Sequence, residues 1–295
     1  MDLRTVDGQF RVPATLDTVP NHPVESQESF YQWVIGRLRA LLRSQKVEVT
    51  VYGVEHVPTT GGGLFAINHT GYYDFIFGGV PGYLRGKRLV RFMAKKEVFD
   101  KPVVGHAMRA MQHIPVDRSN GRSSVDEAVQ RIKKGQLLGI FPESTISRSF
   151  ELADFKNGAA RIAQHADAPL IPMVIWGSQR LWTKGRKKEL GRNGFPVIIR
   201  VGAPIDTSGE PDAVVDKLKA SMQELLDESR AEYSERFGPF GDGADWLPAS
   251  MGGSAPTLEE ACAIDAKRKA DKKAKRERKI GRRVHKALKR ATSKE

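Results

Sequence analysis

The sequence predicts an α/β domain, a layered sheet with flanking helices, over residues 45–240. Three observations predict it. Short apolar runs alternate with stretches of helical periodicity, the pattern of strands covered by helices. The runs end in polar clusters, where such sheets place their sites. Outside these limits the composition changes: prolines before residue 29, Gly, Pro and Ser over 238–256, Lys and Arg from 258. The expected organisation is an N-terminal arm and amphipathic helix (1–44), the α/β domain (45–240), a flexible linker (241–257) and a basic tail (258–295).

Residues 1–28 carry Pro13, Pro20 and Pro23 and read as a loosely packed, irregular arm. Ser29, with Gln32 three residues on, reads as a capping box opening a helix. Phe30, Trp33, Val34, Leu38, Leu41 and Leu42 share one face of it, and Arg39 and Arg43 lie opposite. Arg37 falls within the stripe and must snorkel. This helix either packs into the core or lies at a lipid boundary, where each large apolar side chain fully buried is worth roughly 1.5–3 kcal/mol. Residues 47–52 alternate as a strand. Residues 64–67 are a continuous apolar run, a buried strand. Phe75, Ile76 and Phe77 open a helix that Gly78 and Gly79 weaken. Strands follow at 89–94, 114–116, 137–141, 170–176 and 197–201. Helices fall at 103–111, 124–134 (exposed), 156–165 and 213–237, the last with Val214, Leu218, Met222, Leu225 and Leu226 on its apolar face.

No run of about 18 uncharged apolar residues occurs in the 295, so no membrane-spanning helix is expected. Met1-Asp2-Leu3-Arg4 does not open a secretion signal. A single cysteine, Cys262, excludes an internal disulfide and a multi-cysteine zinc site, and a reducing cytoplasm fits. Net charge is +13, unevenly placed: residues 258–295 hold 15 Lys/Arg against 6 Asp/Glu, the remainder 33 against 29. The tail is a solvated segment, a contact for an anionic membrane surface, or a nucleic-acid contact. The last is disfavoured because it has no aromatic residue for stacking. At its end Ile280, Val284, Ala287, Leu288 and Ala291 keep helical spacing.

The chemistry centres on Ile67-Asn68-His69-Thr70-Gly71-Tyr72-Tyr73-Asp74. A His at the mouth of a strand, with an Asp five positions on in the first turn of a helix, can form an imidazole–carboxylate pair. The Asp holds one ring nitrogen as N–H and leaves the other as a base. Both residues are also potential metal ligands, but no convincing third ligand accompanies them, so no metal and no cofactor is expected. His56, His106 and His113 read as structural. A non-enzymatic module that binds membrane or nucleic acid through the basic tail is the alternative of a different class.

Three further blocks follow in order: Ile114-Pro115-Val116-Asp117-Arg118, Phe141-Pro142-Glu143-Ser144-Thr145, and Ile171-Pro172-Met173-Val174-Ile175-Trp176-Gly177. Over about residues 45–205 the chain resembles the 1-acyl-sn-glycerol-3-phosphate acyltransferases, glycerolipid acyltransferases with an Asn-His-x4-Asp box. The resemblance implies transfer of a fatty acyl group from acyl-CoA or acyl carrier protein to the free hydroxyl of lysophosphatidic acid, giving phosphatidic acid in phospholipid biosynthesis. Another hydroxyl lipid, glycerol 3-phosphate or a lyso-ornithine lipid, is the alternative acceptor. It implies His69 as the base, Asp74 as its partner, Arg118 and Lys95 at the acceptor phosphate, and Glu143 at the glycerol. It also implies an enzyme peripheral to the cytoplasmic face of the membrane. The third block departs from the family's Phe-Pro-Glu-Gly-Thr-Arg-Ser. Ser144 replaces a Gly, which disfavours a positive φ there. Ile146 replaces an Arg, for which Arg148, two residues on, is the substitute.

Overall fold

A computed structural model describes residues 2–117 and 121–292. Among them nine strands form one sheet: β1 (Leu3–Val6), β2 (Phe10–Pro13), β3 (Glu48–Tyr52), β4 (Gly63–Ile67), β5 (Val90–Lys95), β6 (Ile114–Val116), β7 (Leu137–Ile140), β8 (Leu170–Trp176) and β9 (Pro196–Val201). Their spatial order is β1-β2-β3-β9-β8-β4-β7-β5-β6. The helices are α1 (Ser29–Ser44), α2 (Asp74–Gly78), α3 (Val80–Leu84), α4 (Lys96–Phe99), α5 (Pro102–Ala110), α6 (Gly121–Lys133), α7 (Gly158–Ala166), α8 (Pro211–Phe237) and α9 (Leu258–Thr292).

The neighbours β8-β4-β7-β5-β6 run parallel, and β9 is antiparallel to β8. Every residue of β4 and β8 is buried, because helices cover both faces. Successive side chains go to opposite layers. Leu64, Ala66, Leu170, Val174 and Trp176 pack with α6, α7 and α8. Phe65, Ile67, Ile171, Met173 and Ile175 pack with α1, α2 and α3. Gly78 has a packing reason: a Cβ there would stand 2.8 Å from Ile67 Cδ1. The residue that weakens α2 is what lets it lie against β4.

Four expectations need correction. Residues 1–28 are not a loose arm. β1 and β2 pair antiparallel, β2 joins β3 in parallel, and Phe10 and Val12 are buried. Ser29 does not cap α1. Glu28 occupies the cap position, its carboxylate bonded to Arg91, and the Gln32 amide reaches Glu25 O and Lys87 O. Long-range partners outbid the local capping box. The apolar stripe of α1 is split: Leu42 is buried and Val34 and Leu38 are packed, whereas Phe30, Trp33 and Leu41 face outward. Helix α6 is half-buried through Ala128, Val129 and Ile132.

The expected linker is packed as well. Trp246 and Leu247 are buried, and the Arg180 guanidinium stacks on the Trp246 ring at 4.3 Å. Helix α9 begins at Leu258 and takes in most of the expected tail. The side chains of its expected apolar end lie outside the described ones. Among the described residues no helix is long and apolar enough to cross a membrane.

Candidate active site

Parallel pairing sets the carboxyl ends of β8, β4, β7, β5 and β6 side by side, with Ile67 opposite Met173, Ala66 opposite Ile140 and Lys95 opposite Val116. The motif blocks follow these ends directly, so the register brings them to one edge of the sheet. Asn68 ties two of the ends together. Its Nδ2 donates to Ile175 O at 3.1 Å and its Oδ1 accepts from Ile175 N–H at 2.7 Å.

His69 and Asp74 are brought together. His69 Nδ1 lies 3.0 Å from Asp74 Oδ2. The same oxygen accepts the backbone N–H groups of Thr70 and Gly71, both at 2.7 Å, and Oδ1 accepts the Ser178 hydroxyl. Asp74 is fully buried. A carboxylate so placed accepts from Nδ1–H, which leaves the lone pair on Nε2. Among the described residues Nε2 makes no hydrogen bond, and the His69 side chain is about one-fifth exposed. Phe141 stacks on the imidazole at 4.1 Å, and Phe92 stacks behind Phe141 at 6.0 Å.

Ser178 reaches Asp74 because Gly177 turns the chain at the end of β8 with φ of 100°. A Cβ there would come within 2.3 Å of Pro196 O. Thr183 adds a second brace, its hydroxyl donating to Thr70 O at 2.5 Å. Neither residue was legible in the sequence. A lone hydroxyl more than a hundred positions away carries no local signal.

Glu143 is buried behind the box. Oε1 accepts the His69 backbone N–H at 2.8 Å and Oε2 that of Ala153 at 3.2 Å. Burial pushes its carboxyl up to about 7, against the two amide bonds that favour the anion. The unfolded chain holds this proton only below about 4.5, so Glu143 supports the fold at low pH and loses that contribution as pH rises to 7. Unfolding by urea from pH 5 to 8 is expected to show wild type losing up to about 3 kcal/mol relative to Glu143→Gln across that window.

Lys95 is exposed at the end of β5, and Lys96 pairs with Asp117 after β6. Arg118 lies outside the described residues. Arg148 is buried, and its Nε donates to Asp265 Oδ1 of α9 at 2.8 Å. Ser144, expected to avoid a positive φ, has φ of 57°. The turn is fixed by Ser144 N–H on Phe141 O and by the anchored Glu143 before it, so the serine accepts the strain. His56 bonds Val201 O, and buried His113 accepts the Phe92 N–H. Burial lowers His113 to about 4 and keeps it neutral. His106, read as structural, is exposed. Among the described residues no group of three His, Cys, Asp or Glu is placed to hold a metal ion.

An apolar cavity lies beyond Phe92. Its empty space, mouth included, is about 650 Å³. Val34, Ile35 and Leu38 of α1 form one wall, Phe75, Ile76 and Val80 another. Two stacked rings, Phe92 and Phe141, separate it from the imidazole.

Residues 48–176 match the family model described as Acyltransferase. The 1-acyl-sn-glycerol-3-phosphate acyltransferase of Bacillus subtilis is 36% identical over 207 residues, 70% of this chain and 98% of that one. The enzyme of the same name from Limnanthes douglasii is 30% identical, over 68% of this chain and 67% of its own. The crystal structure of the 1-acyl-sn-glycerophosphate (LPA) acyltransferase of Thermotoga maritima shares the fold, with a TM-score of 0.51 at 22% identity, over 71% of this chain and 91% of that one. With its box, its sheet and these relatives in agreement, the chain belongs to the 1-acyl-sn-glycerol-3-phosphate acyltransferase family and is an acyl-transferring enzyme.

Proposed function

We propose that the enzyme acylates the free hydroxyl of lysophosphatidic acid to give phosphatidic acid, at the cytoplasmic face of a membrane to which it binds peripherally. One observation carries the reading: an imidazole with Nδ1 fixed by a buried carboxylate and Nε2 unpartnered among the described residues, two rings from an apolar cavity. Nε2 takes the proton from the lipid hydroxyl as its oxygen attacks the thioester carbonyl. Asp74 stabilises the imidazolium that forms. The proton then passes to the leaving thiolate as the tetrahedral intermediate collapses. Glu143 positions the loop through the His69 amide, in addition to the glycerol contact the resemblance assigns it. Lys95, Arg118 and Arg148 are candidates for the acceptor phosphate. The donor is acyl-CoA or acyl carrier protein.

The cavity is the place for the acyl chain. It is apolar, its histidine is neutral, and α1, which forms one wall of it, turns Phe30 and Trp33 outward, as suits a lipid boundary. A panel of labelled donors against lysophosphatidate, glycerol 3-phosphate and a lyso-ornithine lipid tests the assignment. Lysophosphatidate is expected to be the preferred acceptor. Val34→Trp, which fills the cavity wall, is expected to cut kcat/KM about tenfold or more with palmitoyl donors and to spare octanoyl donors. Equal losses on both donors would move the chain elsewhere. Preference for glycerol 3-phosphate would replace the acceptor.

A further inference from the structure

Through its described side chains, helix α9 holds to the rest of the protein at one place. Of its described side chains only Ala261 and Asp265 are not exposed. From Ala266 to Arg278 every described side chain lies in solvent. Asp265 Oδ1 accepts from Arg148 Nε at 2.8 Å, and Oδ2 from Lys184 Nζ at 3.0 Å. Both cations flank the His69 loop. Ser147, next to Arg148, donates its N–H to His69 O at 2.7 Å. Thr183, next to Lys184, bonds Thr70 O. Lys184 also donates to Thr145, in the Phe-Pro-Glu block.

The charges at this contact do not match. One carboxylate faces two cations, and Lys269, one turn further along α9, adds a third positive charge to the field at Lys184. Among the described residues the two Nη nitrogens of Arg148 make no hydrogen bond, and neither is sealed from solvent, although most of the residue is buried. A guanidinium fork with unused donors beside an ammonium suits a phosphate monoester better than a carboxylate. The helix beyond the contact is basic, with Lys267, Arg268, Lys269, Lys273, Lys275 and Arg278 exposed against Asp271 and Glu277. An anionic leaflet attracts such side chains. A helix whose described side chains bury nothing beyond Ala261 and Asp265 draws little else from them to keep it docked.

We propose that Asp265 is an intramolecular plug in an anion site made by Arg148, Lys184 and Thr145, and that anionic lipid removes it. In neutral surroundings Asp265 fills the site. When segment 266–278 binds an anionic leaflet, α9 leaves the body, and the two cations take the phosphate of the acceptor. The identity of that ligand rests on the lysophosphatidate reading above; the release of α9 does not. The partner is a lipid surface, where the acceptor itself resides, and the tail has no aromatic residue to stack on bases.

Spin labels on Cys262, the one cysteine, and on Lys134→Cys in the exposed turn after α6 read the docking directly in the full chain. On changing from phosphatidylcholine to mixed phosphatidylcholine–phosphatidylglycerol vesicles, the distance between them is expected to change by about 5 Å or more, one turn of helix. In parallel, KM for lysophosphatidate is expected to fall about tenfold with kcat nearly constant. Asp265→Asn is expected to show the low KM already on neutral vesicles and to lose the lipid effect. Replacing Lys267, Arg268, Lys273 and Lys275 by Gln leaves the plug in place and is expected to keep KM high on both. An unchanged distance on anionic vesicles overturns the proposal. So does an Asp265→Asn variant, folded by circular dichroism, whose KM on neutral vesicles is not below that of wild type. Release by a single-stranded RNA but not by vesicles overturns the lipid partner. A distance change without acylation of any lysolipid would sustain the plug while rejecting the acceptor.

Discussion

His69→Ala will lower kcat for acyl transfer by about 10²–10⁴-fold, the contribution of a placed general base, with KM for donor and acceptor changed by less than about threefold. The substitution separates chemistry from folding unusually well at this position. The His69 side chain is partly exposed, so its loss opens no sealed void in the core. Asp74 keeps three of its four donors: the amides of Thr70 and Gly71 and the Ser178 hydroxyl. The backbone of residue 69 still donates to Glu143 and still accepts from Ser147. What disappears is the ring that carries the lone pair. Thermal unfolding within a few degrees of wild type, together with the activity loss on labelled donor, is the expected pair of results. A variant that acylates lysophosphatidate at the wild-type rate would remove His69 from the mechanism.

The parts of this site that could be read from the sequence are those made by neighbours in the chain. His69 and Asp74 are five residues apart at the junction of a strand and a helix, and a continuous apolar run, 64–67, announces that strand because both of its faces are buried. The same holds for β7 and β8, whose apolar runs end in the Phe-Pro-Glu block and in Gly177. The unread parts are long-range. β1 and β2 have four residues each and no sustained alternation, and β2 is held in the sheet by β3, more than thirty residues on. Segment 238–257 has the Gly and Pro content of a linker, yet Trp246 and Leu247 anchor it, and its four buried residues, with Pro248 and Ala255, are too unevenly spaced to show as a period. Asp265 is one acid among the lysines of a basic tail, and only the fold shows that it meets Arg148. Ser144 went against the local rule at a turn fixed from outside, which is where propensity is expected to yield.

Glu25→Ala will destabilise the protein by about 3–5 kcal/mol, the cost of leaving a buried charge without its partner. The residue lies in the stretch that reads as a loose arm, where the sequence alone would forecast a near-neutral change. Its carboxylate instead receives Arg88 Nε at 3.1 Å, Arg88 Nη2 at 2.9 Å and the Leu89 N–H at 2.7 Å. Arg88 is only 1% exposed. Its remaining donors go to the carbonyls of Pro58, Gly61 and Gly135, so the guanidinium joins the start of β5 to the loops that enter β4 and β7. These carbonyls satisfy hydrogen bonds but supply no negative charge. Removing Glu25 therefore leaves a cation in the interior and a backbone amide unpaired, and no rotation of the side chain brings it to water. Urea unfolding monitored by tryptophan fluorescence should show the midpoint fall with an unchanged slope, and thermal unfolding should drop by roughly 10 °C. A loss below about 1 kcal/mol, the scale of an exposed ion pair, would mean that residues 1–28 detach in solution and that Arg88 is solvated there.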